Sequence, residues 1–307
     1  PHCQSHESQQ WLERQLKKQV PATYFLLTFT LPAQFRSLAW RHQRTFYSLM
    51  IQCCWETVRT FSQNDKQLRG IPGATTVLHT HSRTLNYHPH VHLIMPAAAI
   101  DTVNRLWRTK KSKSKSKNKV NVKNPNKSGY LFNHKALAKV FRAKMLEAIT
   151  QAGLALPKRY PTEWVVDCKS VGSGEKALIY LGRYLYRGVI QEKDILACQE
   201  GKVTFRYRNS KTNQVEFKTV PGPIFLRLIL RHVLPKGFRR ARNFGFLHPN
   251  SKRLIQLLQY LLKLNPDRTL IWVRKRPTLT CRCCGAQMKI LKTRIPPLFP
   301  WKDTAPT

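Results

Sequence analysis

Residues 74–96 read ATTVLHTHSRTLNYHPHVHLIMP, and the fold prediction starts from this segment. Its two ends, 74–82 and 89–96, alternate with period two, which is typical of β-strands. A short polar connection separates them, so we expect an antiparallel pair. Because residues that pair across antiparallel strands have a constant sum of numbers, a register that sets His79 opposite His92 also sets His81 opposite His90.

The segments around this pair predict an α+β fold. Segments rich in β-branched and aromatic residues indicate further strands, and apolar residues at helical spacing indicate helices between them. The predicted strands are 22–31, 162–169, 202–208 and 214–219, and the predicted helices are 6–19, one long helix from Ser37 to Phe61, 135–152, 175–187, 221–232 and 251–264.

Histidines are concentrated on the predicted strand pair, where five of the eleven lie, at positions 79, 81, 88, 90 and 92. His90 and His92 project from the same face of their strand, so both imidazoles can bind one metal ion. His79 and His81 have the same spacing on the preceding strand, and either could supply a third ligand. The alternative is that these side chains face solvent or a nucleic-acid phosphate, which is common for a lone H-x-H pattern.

The predicted helix 175–187 contains a pair of tyrosines. Tyr180 and Tyr184 are four residues apart, so both project from one helix face, about 6 Å apart along the axis. A phenol can attack a phosphodiester once the phosphate is polarised. Without a metal site the same spacing would indicate amphipathic packing, so the histidines are what make the pair informative. Arg183 and Arg187 flank the tyrosines.

The chain is strongly basic, since 54 Lys and Arg stand against 15 Asp and Glu in 307 residues, a formal net charge of +39. Eight lysines and no acid lie in 109–129, so most of the excess belongs to the folded part. A long polyanion is the expected partner. A membrane is less compatible, because we find neither a long uncharged apolar run nor an apolar leader near Pro1, and we expect a cytoplasmic or nucleoid-associated protein.

Eight cysteines are spread over the chain, and without an export signal we expect reduced thiols. Cys281 and Cys284 form a C-x-x-C pair followed by Gly285, which is typical of half a zinc site. A four-ligand site needs a second pair, and Cys283 makes the ligand choice ambiguous. The segment therefore predicts either bound Zn²⁺ or free thiols.

A series of short motifs runs through the chain between residues 1 and 290. They are YFLLTFTLP at 24–32, VLHT at 77–80, HPHVH at 88–92, YLGRY at 180–184, VTFRYR at 203–208, HVLPKGF at 232–238 and NFGFL at 243–247. In this order they resemble the two-tyrosine HUH endonucleases, and among these the rolling-circle transposases of the insertion-sequence ninety-one group. Such a series is much more specific than an H-x-H pattern alone.

This resemblance implies an α+β catalytic domain, in which a central antiparallel sheet of the ferredoxin/RRM-like type is backed by helices. It implies that His79, rather than His81, joins His90 and His92 in binding one Mg²⁺ or Mn²⁺ ion. It also implies that Tyr180 and Tyr184 attack single-stranded DNA in turn, at transposon ends and target. Each attack would leave a 5′-phosphotyrosine and a free 3′-hydroxyl, which can rejoin strands without ATP.

Basic residues are expected to hold the DNA strand. Lys169 matches a lysine of the family pattern and is predicted to contact the phosphate or to help hold the site together. Lys and Arg supply salt-sensitive contacts, and interleaved aromatic residues such as Phe205 and Tyr207 can stack on unpaired bases. The residues predicted to bind DNA are Lys169, Arg183, Arg187, Arg206, Arg208, Arg239, Arg240 and Arg242.

The resemblance also implies a domain organisation. The family has a cysteine-rich zinc domain at its N-terminus, of which we expect only the last piece, with Cys3, in this chain. The predicted divisions are 1–20 for this remnant, 21–220 for the HUH endonuclease domain with a Lys/Ser-rich insertion at 109–129, 221–292 for a mainly helical basic region with the C-x-x-C pair, and 293–307 for a loose tail.

Two alternatives remain for the function. A rolling-circle replication initiator or a conjugative relaxase would share the site and its chemistry, but not the flanking motifs. A non-catalytic nucleic-acid-binding protein would use the same charge and aromatic residues, but would not need both the histidine pair and the tyrosine pair. Carboxylate-triad transposases and tyrosine recombinases are excluded, since the histidine segment contains no acid and no His-x-x-Arg pattern is present.

Overall fold

The computed structural model describes residues 5–110, 130–186, 188–209 and 212–265, together with 281, 283–286 and 288. The chain divides into two compact units after residue 268, and each is considered by itself. Most of the Lys/Ser-rich insertion, 111–129, lies outside the described residues, as do the tail at 293–307 and Cys3.

The first unit contains the helices and strands of the described chain. The helices are α1 Ser5–Leu16, α2 Arg36–Arg41, α3 Gln43–Asn64, α4 His134–Gln151, α5 Glu175–Tyr186, α6 Gly222–Leu230 and α7 Lys252–Leu261. The strands are β1 Tyr24–Thr30, β2 Ile71–His81, β3 Tyr87–Pro96, β4 Ala98–Asp101, β5 Leu106–Thr109, β6 Val165–Ser170, β7 Ile195–Gln199, β8 Lys202–Arg208, β9 Val215–Pro221 and β10 Ala241–Gly245. None of these helices is long and apolar enough to cross a membrane.

Seven of the described strands form one large sheet. Its order is β5–β4–β2–β3–β1–β6, and β10 also pairs with β2. Every pairing in it is antiparallel. The strand β3, which contains His90 and His92, lies between β1 and β2 in the middle of the sheet. The predicted α+β class, with an antiparallel sheet backed by helices, is confirmed.

Alternation along the central strands separates two hydrophobic cores, one on each face of the large sheet. The first lies against α3 and α4, and the strands contribute Phe25, Leu27, Phe29, Val91, Leu93 and Met95 to it. The second lies on the opposite face, where Val77 and Ile94 pack with Trp11 of α1 and Leu181 of α5. Since His92 is opposite Val77 across the β2–β3 pair, the histidines lie on this second face.

A small sheet of three antiparallel strands, in the order β7–β8–β9, stands apart from the large one. Phe205 and Val220 are buried between this sheet and Phe225 of α6. Leu85, in the loop between β2 and β3, belongs to the same core. The small sheet is therefore attached to the hairpin that carries the histidines.

The secondary structure differs from the sequence prediction in two respects. The single helix expected from Ser37 to Phe61 is two helices, because His42 leaves the helical conformation between α2 and α3, with φ −121° and ψ 42°. The strands β4, β5, β7 and β10 were not predicted, because they are only four or five residues long and show no clear alternation. β10 lies inside 221–292, which the sequence predicts to be mainly helical, and it extends the large sheet.

Candidate metal and tyrosine site

His79, His90 and His92 meet on one face of the large sheet. His79 of β2 lies directly opposite His90 of β3, and His92 is two residues further along the same face. The ring centroids are 4.2 Å apart for His79 and His92, 5.1 Å for His79 and His90, and 5.0 Å for His90 and His92. One ring nitrogen of each lies within 4.8 Å of the other two, and no other group of His, Cys, Asp or Glu in the described residues has this spacing.

The register of the hairpin differs from the predicted one by two residues. The sequence predicts His79 opposite His92, whereas Val77 occupies that place, and a bulge after His79 sets His81 beside Tyr87. The prediction is wrong because β3 begins at Tyr87, so that a loop of only residues 82–86 joins the strands. A shift of two residues keeps each side chain on its face, and His79 therefore still faces His90 and His92.

Hydrogen bonds orient two of the three imidazoles, those of His90 and His92. His90 Nδ1 lies 2.7 Å from the carbonyl oxygen of His88, so Nδ1 donates and Nε2 keeps its lone pair. His92 Nδ1 is 3.1 Å from the hydroxyl of Thr28, which leaves Nε2 of that ring available. His79 Nε2 is buried and has no hydrogen-bond partner. Such a buried nitrogen is costly unless a ligand satisfies it, so the residues present fit a metal ion.

Burial favours the neutral form of these rings. It lowers the pKa of His90 to about 3, with a further contribution from His92, and it lowers the pKa of His92 to about 4. The pKa of His79 is lowered well below its ordinary value, first by burial and then by His92 and His90. Each ring is therefore neutral at pH 7 and can donate a lone pair to a cation.

Tyr180 and Tyr184 lie beside the triad on successive turns of α5, which begins just after Gly174. Gly174 has a φ of +81°, which is accessible to glycine, and this sharp turn directs the helix back over the histidine face. The ring of Tyr184 stacks on His79 with a centroid distance of 3.3 Å and an interplanar angle of 10°. The ring of Tyr180 is 6.4 Å from His79 and 6.2 Å from His92, and its side chain is 52% exposed.

The two phenols differ in their surroundings. Burial raises the pKa of both, and more strongly for Tyr184. The guanidinium of Arg240 lowers the pKa of Tyr184, as do hydrogen bonds from the backbone at Thr80 and His81. Arg240 Cζ lies 5.8 Å from the centroid of the Tyr184 ring, which is a cation–π distance. Tyr180 is therefore the accessible phenol and Tyr184 the enclosed one.

The third-ligand alternative, His81, lies outside the triad. Its Nδ1 donates to the carbonyl oxygen of Ser82 at 3.1 Å. Its ring stacks against Tyr184 at 5.1 Å and meets His232 edge-on at 5.2 Å. The structure thus brings His79, and not His81, into the group with His90 and His92.

Among the described residues, the basic side chains predicted to bind DNA do not form one cluster around the histidine triad. Lys169 lies on the histidine face of β6 and pairs with Asp167 at 3.0 Å. Arg183 is exposed on α5 and Arg239 is exposed before β10. Arg242 points to the opposite face, where it donates to Ser48 Oγ at 3.1 Å. Arg187 lies outside the described residues.

The small sheet carries the remaining pair, Arg206 and Arg208. Arg206 Nε donates to Asp194 at 2.8 Å, and Arg208 is exposed. The expected stacking role of Phe205 is wrong, because this ring is completely buried against α6. The hydroxyl of Tyr207 already donates a hydrogen bond within the small sheet, to Glu216 at 2.7 Å.

Several residues that shape the site were not singled out from the sequence. Thr28 supports His92, and alternation along β1 was the available signal. Asp167 is opposite Thr28 and so lies on the histidine face two strands from His92. His232 is fully buried, accepts from Thr80 Oγ1 at 3.2 Å and donates to the Leu85 carbonyl oxygen at 3.0 Å. It ties the tip of the histidine hairpin to the chain after α6, and the motif HVLPKGF was its only signal.

The second unit contains the predicted cysteine pair. The backbone N–H of Cys281 donates to the Ala286 carbonyl oxygen at 2.9 Å, and Gly285 N–H donates back to Cys281 at 2.9 Å, which makes a tight turn. Hydrogen bonds from Cys284 and Cys283 lower the pKa of the Cys281 thiol, which favours the thiolate. Among the described residues no third ligand joins Cys281 and Cys284 in a metal-binding group, so zinc there stays a prediction.

The fold and the site define an α+β protein in which three neutral histidines and two tyrosines lie together on one face of an antiparallel sheet. Comparison with known families gives its family. A family model described as "Putative transposase" matches residues 73–254, and one described as "Transposase zinc-binding domain" matches residues 1–31. The chain belongs to this transposase family, of the insertion-sequence ninety-one type.

Two curated relatives agree with this membership. The "Putative transposase y4qJ" of Sinorhizobium fredii (strain NBRC 101917 / NGR234) is 30% identical over 270 residues, which cover 80% of this chain and 64% of the relative. The "Transposase for insertion sequence element IS801" of Pseudomonas savastanoi pv. phaseolicola is 25% identical over 270 residues, with 80% and 60% coverage. The chain thus spans less than two thirds of the length of either relative. No solved structure is significantly similar to it.

Proposed function

We propose that the protein is a DNA transposase that cleaves and rejoins single-stranded DNA through 5′-phosphotyrosine intermediates, as in rolling-circle transposition. The observation that supports this most strongly is the position of Tyr180 and Tyr184 directly beside the histidine triad. A structural role for the tyrosines would not explain why a buried nitrogen of His79 is left without a partner next to them.

The triad is the place for one divalent cation. The imidazoles of His79, His90 and His92 would hold it, since their neutral rings leave lone pairs free. Such an ion supplies Lewis-acid polarisation of a phosphodiester when it is bound. Imidazole ligands suit Mn²⁺ better than Mg²⁺, so Mn²⁺ is the preferred ion for experiments, although Mg²⁺ is abundant in cells.

Tyr180 is the phenol best suited to the first attack, because it is half exposed while Tyr184 is stacked on His79. Its oxygen forms a bond to phosphorus as the bond from phosphorus to the 3′-oxygen breaks. The phenol loses its proton and the 3′-oxygen gains one. The number of phosphate ester bonds is unchanged, so attack by a 3′-hydroxyl can reverse the step without ATP.

Tyr184 would serve as the second nucleophile while the first DNA end is still attached to Tyr180. It must leave its stack on His79 to reach a phosphate. Burial raises the pKa of this tyrosine, and the guanidinium of Arg240 beside its ring offsets part of that rise. Two successive attacks by neighbouring phenols would allow one strand end to be exchanged for another.

Covalent capture of DNA tests this proposal. The protein is incubated with Mn²⁺ and a labelled pool of random-sequence single-stranded oligonucleotides, and adducts are separated on a denaturing gel. We expect a labelled protein band that is lost in the Tyr180→Phe/Tyr184→Phe double variant. Tyr180→Phe alone should lose more of the adduct than Tyr184→Phe, since Tyr180 is the accessible phenol.

Tyr260→Phe is a matched control, because Tyr260 is 83% exposed and lies on α7, not on α5 or the histidine strands. Its adduct should equal that of the unmodified protein. An adduct that survives in the double variant would show that another residue is the nucleophile. Absence of any adduct would instead favour a non-catalytic nucleic-acid-binding protein.

A further inference from the structure

The small sheet has one packed face and one open face. Directly paired residues share a face, so Arg206 and Phe217 lie together, as do Arg208 and Val215. Phe205 lies on the other face, in the core with α6. We define the outer face of the small sheet as Thr204, Arg206, Arg208, Val215, Phe217 and Thr219.

The β9 side of the outer face is open to solvent in the described chain, whereas Arg206 of β8 is partly buried beside Asp194. Phe217 is 64% exposed and Val215 is 51% exposed, although both lie within a paired strand. Exposing a phenylalanine ring to water on a regular strand costs hydrophobic free energy that burial would recover. An exposed ring with polar neighbours therefore indicates a surface that contacts a partner.

The neighbours of Phe217 indicate the chemistry of the partner. Arg208 is exposed and donates to two oxygens of Asn213 at 3.3 and 3.4 Å, and no carboxylate of the described chain pairs with it. Arg206 pairs with Asp194 and is therefore partly neutralised. Phe217 lies opposite Arg206, and Arg208 is one pair further along the same face. An exposed aromatic ring next to guanidinium groups suits a strand of unpaired bases, since bases stack on the ring and phosphates contact the arginines.

We propose that the outer face of the small sheet is a docking surface for single-stranded DNA, on which Phe217 stacks against a base and Arg208 contacts a phosphate. A protein or membrane partner suits this face less, because it has two apolar side chains among two arginines and two threonines. A net charge of +39 adds long-range attraction for a polyanion. The proposal rests on the proposed function, to which it adds a contact outside the site.

The position of this surface fits a role in holding the substrate. The core under the small sheet includes Leu85, which lies in the loop between the two histidine strands. His232 fastens the same loop through the Leu85 carbonyl oxygen. A DNA strand on the outer face is therefore held by an element that is anchored to the histidine hairpin.

Binding of oligothymidylate of about 20 nucleotides tests the surface, measured by fluorescence anisotropy for the unmodified chain and for three variants. Phe217→Ala should raise Kd about tenfold, because stacking of one base is worth roughly 1–3 kcal/mol. Phe217→Trp should keep the affinity, since it keeps a stacking ring. Leu226→Ala is the matched control, because Leu226 is an apolar residue of α6 with 58% exposure, and its Kd should stay unchanged.

Two further measurements separate stacking from general damage. Phe217→Ala should bind duplex DNA as the unmodified chain does, because paired bases offer no free face. Arg208→Gln should weaken oligothymidylate binding and lower the slope of log K against log salt by about 0.7, as loss of one phosphate contact requires. A Kd for Phe217→Ala equal to that of the unmodified chain would overturn the proposal.

The docking surface and the proposed function can fail separately. Weakened binding by Phe217→Ala, with an intact tyrosine adduct at saturating DNA, supports both. If Phe217→Ala weakens binding but the unmodified chain never forms an adduct, the docking surface is supported and the proposed transesterification is contradicted. If Phe217→Ala binds oligothymidylate with the same Kd as the unmodified chain and forms a normal adduct, only the docking surface is contradicted.

Discussion

The two faces of β3 differ in almost every physical property, although their residues alternate along one strand. Val91 and Leu93 are completely buried in the core with α3 and α4. His90 and His92, between and beside them, are oriented by single hydrogen bonds and have ring nitrogens free for a ligand. Under the proposed function, the face with Val91 and Leu93 packs the core and the face with His90 and His92 carries the chemistry. We call them the packed face and the chemical face, and substitutions on the two should have separable effects.

The largest effect is expected for His90→Ala, on the chemical face. Loss of one of three imidazoles should abolish tight Mn²⁺ binding. The rate of adduct formation should fall on the order of a thousandfold, since metal polarisation is worth several kcal/mol. Calorimetry with Mn²⁺ and the adduct assay measure the two losses.

His134→Ala is the control for this loss, because His134 begins α4 and lies outside the triad. Both Mn²⁺ affinity and the adduct should be preserved in it. The thermal midpoint of His90→Ala should also stay near that of the unmodified chain. Normal adduct formation by His90→Ala would show that the triad is not a metal site.

Leu93→Ala tests the packed face of the same strand. Removing a completely buried leucine side chain should lower the free energy of unfolding by about 3 kcal/mol, through lost burial and a residual cavity. Urea denaturation measures this change. At a temperature where the variant is folded its Mn²⁺ affinity should be unchanged, and a lowered affinity would mean that the two faces are coupled.

His232 differs from the histidines of the triad, because its two hydrogen bonds stabilise the packing of the hairpin. Burial lowers its pKa to about 4, against an ordinary value of 6.5. Its contribution to stability is therefore complete above pH 6.5 and is lost as the pH falls towards 4, since the unfolded chain then binds a proton that the folded chain excludes.

We expect His232→Gln to be less stable than the unmodified chain at pH 7.5 by roughly 2 kcal/mol, because it loses two buried hydrogen bonds. The difference between the two proteins should shrink between pH 6.5 and 4. Urea denaturation at several pH values measures it. A difference that is independent of pH would show that His232 has the same pKa in the folded and the unfolded chain.

The smallest effect concerns α5, which covers the chemical face. A Cβ at Gly182 would lie 3.1 and 3.2 Å from ring atoms of Trp11 in α1. In Gly182→Ala, a gain in helix propensity of about 1 kcal/mol should offset the tight contact, so stability should hardly change. The tyrosines on either side should shift by tenths of an ångström, and the adduct rate should fall about threefold. An unchanged adduct rate would mean that α1 moves to accommodate the new methyl group while α5 and its tyrosines stay in place.

The face of each histidine could be predicted from the sequence, but the pairing partner could not. Side-chain alternation is a local property of a strand, so His79, His90 and His92 were correctly expected on one side. The register depends on where the turn begins and ends, and neither Ser82 nor Asn86 marks those points clearly. The two-residue error in the register did not change the predicted side of each histidine, because side chains alternate with a period of two.

Other features depend on contacts between distant segments, which the sequence does not display. β10 becomes a strand because β2 offers it a free edge, although Arg242 and Asn243 are poor strand formers. Phe205 and Phe217 are both aromatic residues in strand-like segments next to basic residues. Only the position of α6 decides that Phe205 is buried and Phe217 exposed.

The pairing of β1 with β3 has a consequence for how genes of this family can recombine. β1 lies within the match to the zinc-binding model, residues 1–31, whereas β3 lies within the match to the transposase model, residues 73–254. Yet β1 pairs with β3 along its whole length, from Tyr24 to Thr30. A crossover between two such genes after residue 31 would therefore insert a foreign strand into the middle of the sheet. Exchanges that respect the fold must inherit β1 together with the histidine hairpin.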